Sequence, residues 1–285
     1  MQSIPNGYVD AWSRRIHLAY QDYGFRLRGT MMPPERVSAE KIHWRVLGKG
    51  KASRTERGDN VKTMNAPLNV VSKDIEDWDA AEYIYEKDLP QLGDITPSMQ
   101  DNLKTIIMAA LGRKADEMVI DELGAQTYAP DHQLGDPLQP MTLNLAREIA
   151  MSLKKFTSLM PGRKFCLLDS NAWEQLMGYQ QFAGREYVSD EPFMKVAVDT
   201  PRMWDGVIWI PFPDDALPLN VSERTTYAWH EAALGYGEYG ETIFKVDWVP
   251  EKKGWLHRAT INGAVKAIQP EGIVQIKTKA DAPLV

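Results

Sequence analysis

The sequence predicts an α+β fold in which arm-like segments hang from a body of helix and sheet. Three observations carry this. A polar, basic ribbon from Lys41 to Thr63 has almost no core of its own. One long helix with full punctuation at both ends follows and stops at Gly124. After an α/β stretch, strand-like segments gather near the C-terminus, the ordering of an α+β chain.

Residues 1–41 mix aromatics with charge and contain Met31-Met32-Pro33-Pro34. Arg14 to Asp22 reads as a short helix and the rest as extended, an N-terminal arm with little core. The ribbon after it reads KIHWRVLGKGKASRTERGDNVKT. Its seven cations and two acids make it +5; with the whole chain at −6, the remainder carries −11. Ile42, Trp44 and Val46 alternate with His43 and Arg45, the period of a strand with one apolar face. Gly48, Gly50, Gly58 and Asp59-Asn60 punctuate an open tip, and a second strand returns through Met64 to Val71. A lone hairpin is marginal in water, so it is expected to lie on another subunit, with Arg45, Lys49, Lys51, Arg54 and Arg57 meeting acidic surface there. A merely solvated loop is the plain reading of such a charge run. A nucleic-acid arm is a third, weakened by the acidic remainder and by the lack of aromatics beyond Trp44.

Trp78 to Tyr85 resumes apolar character. The long helix is then signalled by Thr96 as N-cap, Pro97 at its first position, and Asp101 near the positive end of the dipole. Leu103, Ile106, Ile107, Ala110, Leu111, Met118 and Val119 form a stripe at helical spacing, and Gly124 caps the end. Its length is about 40 Å at 1.5 Å per residue. Gly112 inside it costs roughly 1 kcal/mol relative to Ala, which predicts a close packing partner there.

Residues 125–141 are a turn-rich loop. Thr142 caps a second helix with a stripe of Leu143, Ala146, Ile149, Ala150, Leu153 and Phe156. Phe165 to Leu168 and Val207 to Ile210 read as buried strands. Between them, Ser170 or Asn171 caps a helix carrying Trp173, Leu176 and Met177. Arg224 to Leu234 reads as a helix. Ile243 to Val249, Trp255 to Ile261, Val265 to Ile268 and Ile273 to Ile276 read as an antiparallel meander, with a tight turn at Asn262-Gly263.

The 285 residues are 44% hydrophobic and 25% charged, enough for one large domain or two small ones. Net charge −6 makes no general case for nucleic acid or membrane. No apolar run approaches the roughly 20 residues of a membrane span. The first ten residues lack a basic start and an apolar h-region, so no signal peptide is expected. The single cysteine, Cys166, excludes an internal disulfide and a thiolate metal cluster, and fits a reducing cytoplasm.

Catalytic chemistry finds no foothold. His17, His43, His132, His230 and His257 make no metal-ligand spacing, and His230-Glu231 is followed by Ala-Ala-Leu, not by the pattern of a zinc helix. Asp131-His132 and Asp214-Asp215 sit in turns, where Asp serves the backbone. Cys166 lacks an adjacent cation and reads as a small core residue. Gly235, Gly237 and Gly240 fit G-x-G-x-x-G formally, but a helix is expected before them and a strand after, the reverse of a dinucleotide fingerprint. They read as a helix stop and chain reversal. No metal or cofactor is expected.

Three stretches carry a resemblance: GKGKASRTERGDNV; DIEDWDAAEYI with AALGRKADEMVIDEL after a short gap; and AWHEAALGYGEYG followed by VPEKKGWLHRATINGAVKAIQPEGIVQI. In wording and order, over roughly residues 40–280, the chain resembles the major capsid proteins of tailed double-stranded DNA bacteriophages, of HK97-like fold. The resemblance implies an N-terminal arm (1–41), an extended loop (42–77), a peripheral domain (78–141 and 238–279) with a spine helix (96–124), an axial domain (142–237) and a C-terminal tail (280–285). It implies a non-enzymatic structural protein that assembles through hexamers and pentamers into an icosahedral shell around the phage genome. Leu103, Ile107, Leu111 and Met118 would pack the spine helix. The implied partners are other copies, a portal, a separate scaffolding protein and non-specifically held DNA; a decoration protein is allowed and no membrane is involved. Forty-one residues leave no room for a cleaved scaffolding segment at the N-terminus, and no acceptor for a loop cross-link aligns. The virion capsid is the implied location, after assembly in the host bacterial cytoplasm. An encapsulin-type compartment has the same implied fold, and an α+β enzyme with a basic substrate loop is the reading from another class.

Overall fold

The structure, a computed structural model, describes residues 22–36, 40–55, 57, 60, 62–86, 97–158, 160–183, 200–240 and 242–283. The Thr96 cap and the helix expected at Arg14 to Asp22, except its last residue, lie outside the described residues.

Two sheets share one core. The first has five strands: β1 (Glu35–Arg36), β4 (Glu76–Tyr85), β11 (Leu234–Glu238), β12 (Ile243–Val249) and β13 (Gly254–Ala267). β13 is its axis, with β4 along one side and β12 and β11 along the other. The long helix α1 (Pro97–Gly124) packs on it through Ile107, Leu111 and Ala115, which meet Ala259 and Ile261. Apolar side chains at helical spacing thus find a sheet face of small and branched residues.

The second sheet has seven strands, six of them in the order β5 (Gln133–Leu134), β14 (Ile273–Lys279), β10 (Glu223–His230), β6 (Lys164–Leu168), β8 (Val207–Pro211) and β7 (Arg202–Trp204), with β9 (Leu219–Asn220) on β10. Helix α2 (Leu143–Phe156), whose Thr142 hydroxyl accepts from Leu145 N at 3.2 Å, covers one face with α3 (Ser170–Met177) and the short α4 (Gln180–Ala183). Alternate residues of the central strands serve two cores. Phe165, Leu167, Tyr227 and Trp229 join α1 in the core between the sheets, while Cys166, Leu168 and Ala228 face α2 and α3. A strand buried on both faces reads as an unbroken apolar run.

Three expectations fail on this point of tertiary context. Arg224 to Leu234 is strand β10, a single 3-10 turn at Glu231–Ala233 and the start of β11, not an α-helix. It is sandwiched between β14 and β6, so its two buried faces hide the period of two. Asn262-Gly263 makes no turn; it lies inside β13, held extended by ladders to Asp77 and Glu76 on one side and, at Gly263, to Glu238 on the other. The meander is broken after Pro270–Gly272, because β14 crosses into the seven-stranded sheet beside β10.

Candidate assembly surface: the hairpin, its seat and the N-terminal strap

Strands β2 (Lys41–Leu47) and β3 (Leu68–Asp74) form an antiparallel hairpin in the register Lys41↔Asp74 through Leu47↔Leu68. The strand expected at Met64 to Val71 is therefore shifted toward the C-terminus. Its inward face is set by Ile42 and Trp44, buried at 3% and 4% exposure against Ala264 and Ile268. The expectation that the ribbon has no seat on its own chain is corrected here. Two buried side chains of this size contribute about 1.5–3 kcal/mol each, enough to moor the base of a hairpin.

The seat is made by what β11 lacks. A β-carbon on Gly237 would stand 2.7 Å from Ile42 Cδ1, and one on Gly235 would stand 2.7 Å from Trp44 Cε2 and Nε1. Any side chain there would occupy the space of the hairpin's anchors. The GYGEYG stretch is neither a helix stop nor a phosphate loop: its first two glycines lie within β11, and Gly240 follows that strand. The signal was present in the sequence as two glycines two apart on one strand face, facing the bulky pair Ile42 and Trp44, also two apart.

Beyond the seat the hairpin carries its cations outward. Arg45, Lys49, Lys51, Arg54 and Arg57 are all exposed. Lys49 Nζ donates to Ser158 Oγ at 3.4 Å; no carboxylate among the described residues pairs with any of the five. Of the four residues expected to pack α1, Ile107, Leu111 and Met118 are buried and Leu103 is half-buried. Ile106 of the same stripe is instead exposed.

Residues 22–36 depart from the expected core-less arm. They form a strap stitched along α1. Leu27 and Met31 are buried in the central core, Trp229 Nε1 donates to Thr30 O at 3.0 Å, and β1 adds a parallel edge to β11. At the crossing, Phe25 N donates to Gly112 O at 3.1 Å. A β-carbon on Gly112 would meet Tyr23 O at 2.2 Å, and one on Gly24 would meet Gly112 C at 1.9 Å. This is the close partner that a glycine in mid-helix predicts. One turn on, Asp116 accepts from Arg26 N at 3.0 Å and Leu27 N at 2.9 Å. It is 3% exposed, and burial pushes its carboxyl up to about 6 despite those two donors. Nothing in the sequence pattern marked Asp116, since an acid on a helix reads as solvent-facing.

Among the described residues no group of three or more His, Cys, Asp or Glu could hold a metal ion, and no helix is long and apolar enough to cross a membrane. Cys166 is fully buried, which raises its thiol well above the ordinary range and leaves it unreactive.

A family profile described as phage capsid protein matches residues 4–280. No curated protein matches the sequence. Among solved structures, the capsid of a native GTA particle superposes with a TM-score of 0.70 at 12% identity, covering 97% of each chain. The cyanophage Pam1 capsid gives 0.69 at 11% identity over 99% of each. The SrpI encapsulin of Synechococcus elongatus gives 0.63 at 9% identity, over 99% of this chain and 97% of that one. At such identities the likeness speaks to the fold, which is the HK97-like capsid fold.

Proposed function

This chain belongs to the phage capsid protein family, and from that premise we propose how it builds a shell. It is a structural protein of the virion capsid that associates with copies of itself, and it is not an enzyme. In our reading the copies form hexamers and pentamers that close into an icosahedral shell around double-stranded DNA. The five-stranded sheet with α1 serves as the peripheral domain. The seven-stranded sheet with α2 and α3 serves as the axial domain, with β14 on the axial side rather than within a peripheral segment ending at 279.

The observation that carries this reading is the hairpin: its base is moored on its own chain, and its five exposed cations have no acidic partner among the described residues. Arg45, Lys49, Lys51, Arg54 and Arg57 pair in this reading with acidic surface on an adjacent copy. Exposed pairs contribute about 0–1 kcal/mol each, so closure rests on multiplicity. Leu103, Ile107, Leu111 and Met118 keep α1 on its sheet. The acidic remainder makes a wall that holds phosphate only weakly. A separate scaffolding protein, a portal and assembly in the host cytoplasm complete the proposal, with a decoration protein allowed.

The test is the double variant Arg54→Glu/Arg57→Glu, followed by negative-stain microscopy and light scattering. Subunits that fold normally and form no particles are expected; particles indistinguishable from wild type would refute the loop assignment. The encapsulin superposition favours a second reading, a compartment holding protein cargo. Nucleic acid content of purified particles separates the two: packaged DNA supports the phage shell, and an enzyme cargo without DNA supports the compartment.

A further inference from the structure

Strand β12, IFKVDWV in sequence, is laddered to β13 along one edge, and among the described residues its other edge pairs with nothing. A bare edge leaves a row of backbone donors and acceptors unmade. Proteins blunt such edges with shortness, proline, bulges or repelling charge. β12 has seven residues and no proline, and five of the seven are β-branched or aromatic, the side chains that strands favour.

Its two faces differ. Phe244, Val246 and Trp248 share the face toward α1, where Phe244 packs on the cluster of Ile107 and Leu111. That cover stops short of the other two: Val246 and Trp248 are 44% and 43% exposed, Trp248 with its ring 4.5 Å from that of Trp255. Neighbouring exposed apolar side chains mark a contact surface more than an isolated one does. The opposite face carries Lys245 and Asp247. Lys245 stands across the ladder from Arg258, a like-charge pairing that weakens a sheet. Arg258 turns to Asp247, its Nη2 at 3.0 Å from Oδ2, and among the described residues no carboxylate pairs with Lys245.

We propose that two copies of the chain join these edges antiparallel, about a two-fold axis at Val246, into one continuous sheet. Reversed against itself, the strand is its own complement: Val246 meets Val246, and Phe244 meets Trp248 and Lys245 meets Asp247 twice over. Opposed residues of an antiparallel ladder point to one face. The apolar pairs therefore stay on the side of α1, and each Lys245 gains the acid that its own sheet does not give it. The register is fixed by charge. Moving the axis by one residue, to Lys245 or to Asp247, sets two like charges against each other on the axis. A two-fold contact requires a patch complementary to itself, which is why the occupant is a second copy. The pairing rests on the shell reading above and uses neither the hairpin nor its seat.

The test oxidises full-length Val246→Cys mildly. Directly opposed residues have Cα atoms about 4.5–5.5 Å apart, within reach of a disulfide, so a linked dimer is expected. Val249→Cys is the register control: three residues from the axis on each copy, it lies about 20 Å from its twin and should stay unlinked. Cys166 is buried and stays silent. A second measurement uses charge. Lys245→Glu sets acid against acid at both pairs and should lose particles; Lys245→Glu/Asp247→Lys reverses both pairs and should recover them. Particles that form from Val246→Cys without linking, or that link equally at Val249→Cys, overturn the pairing and leave the shell reading intact. Wild-type protein that remains monomeric at every concentration and salt overturns the shell reading, and this pairing with it.

Discussion

The indole of Trp44 lies against the bare backbone of Gly235, so close that a β-carbon there would stand 2.7 Å from Trp44 Cε2 and 2.4 Å from Ile268 Cδ1. The Ile268 methyl can turn aside, but the ring of Trp44 cannot without leaving its seat. Gly235→Val should therefore unseat the hairpin base at a cost of about 1–3 kcal/mol. Limited proteolysis is expected to cut within 41–74 faster than in wild type, with the seven-stranded sheet unaffected. Unchanged cleavage and unchanged tryptophan emission would contradict the seat.

Gly112→Ala opposes two effects. Alanine favours the helix by roughly 1 kcal/mol. Its methyl, however, would enter the space of Tyr23 O, a backbone atom with no rotamer to change. The strap is expected to lift, and overpacking of this kind costs about 1–3 kcal/mol, so the net effect is destabilising. Hydrogen exchange at residues 22–36 reads it directly: faster exchange of the Phe25 amide is the expected sign.

Asp116 gives a pH dependence of defined sign. Its carboxyl stands at about 6 in the folded chain against an ordinary 3.8, so the folded state binds this proton more tightly than the unfolded one. The ionised form burdens the fold above pH 6, and the burden is relieved as pH falls through 6 toward 3.8. Asp116→Asn removes that relief, a difference of up to about 3 kcal/mol across the window, measurable as urea midpoints against pH. Parallel profiles for variant and wild type would sink the assignment.

His257 works in the opposite sense. It is fully buried on β13, and burial holds its imidazole below the ordinary range. The fold keeps it neutral while the unfolded chain takes up a proton as pH falls through about 6.5, so stability drops there. His257→Leu should erase that drop, and its advantage over wild type should grow on going from pH 7 to about pH 5. A constant difference over that range would show that the imidazole does not titrate on unfolding.

What was legible in the sequence was what local chemistry determines. The Thr142 cap and the alternation of Ile42, Trp44 and Val46 need only their own neighbours along the chain and have their expected places, and so does the α1 stripe apart from the exposed Ile106 and the half-buried Leu103. β10 was misread because Ala228 faces one core and Tyr227 and Trp229 another; burial on both faces erases the strand's period. Asn262-Gly263 is a turn in isolation and becomes strand under two ladders. The seat at Gly235 and the Asp116 bonds join residues 190 or so and about 90 positions apart. Pairings at such separation depend on the closed fold, and no window of sequence contains both partners.

The narrow mooring of the hairpin makes it a lever with its fulcrum at Ile42 and Trp44. A strand rises about 3.3 Å per residue, so Leu47, the far end of β2, lies roughly 13 Å beyond that fulcrum, and a rocking of about 5° there carries it through about 1 Å. Neighbours in a closed polyhedral lattice do not all meet at one angle. In the proposed shell, a rigid ladder anchored by Ile42 and Trp44 would absorb those differences by swinging as a whole, with every rung of Lys41↔Asp74 to Leu47↔Leu68 preserved. Curvature in the proposed shell would then be tuned at the pivot, while the ladder itself keeps one shape.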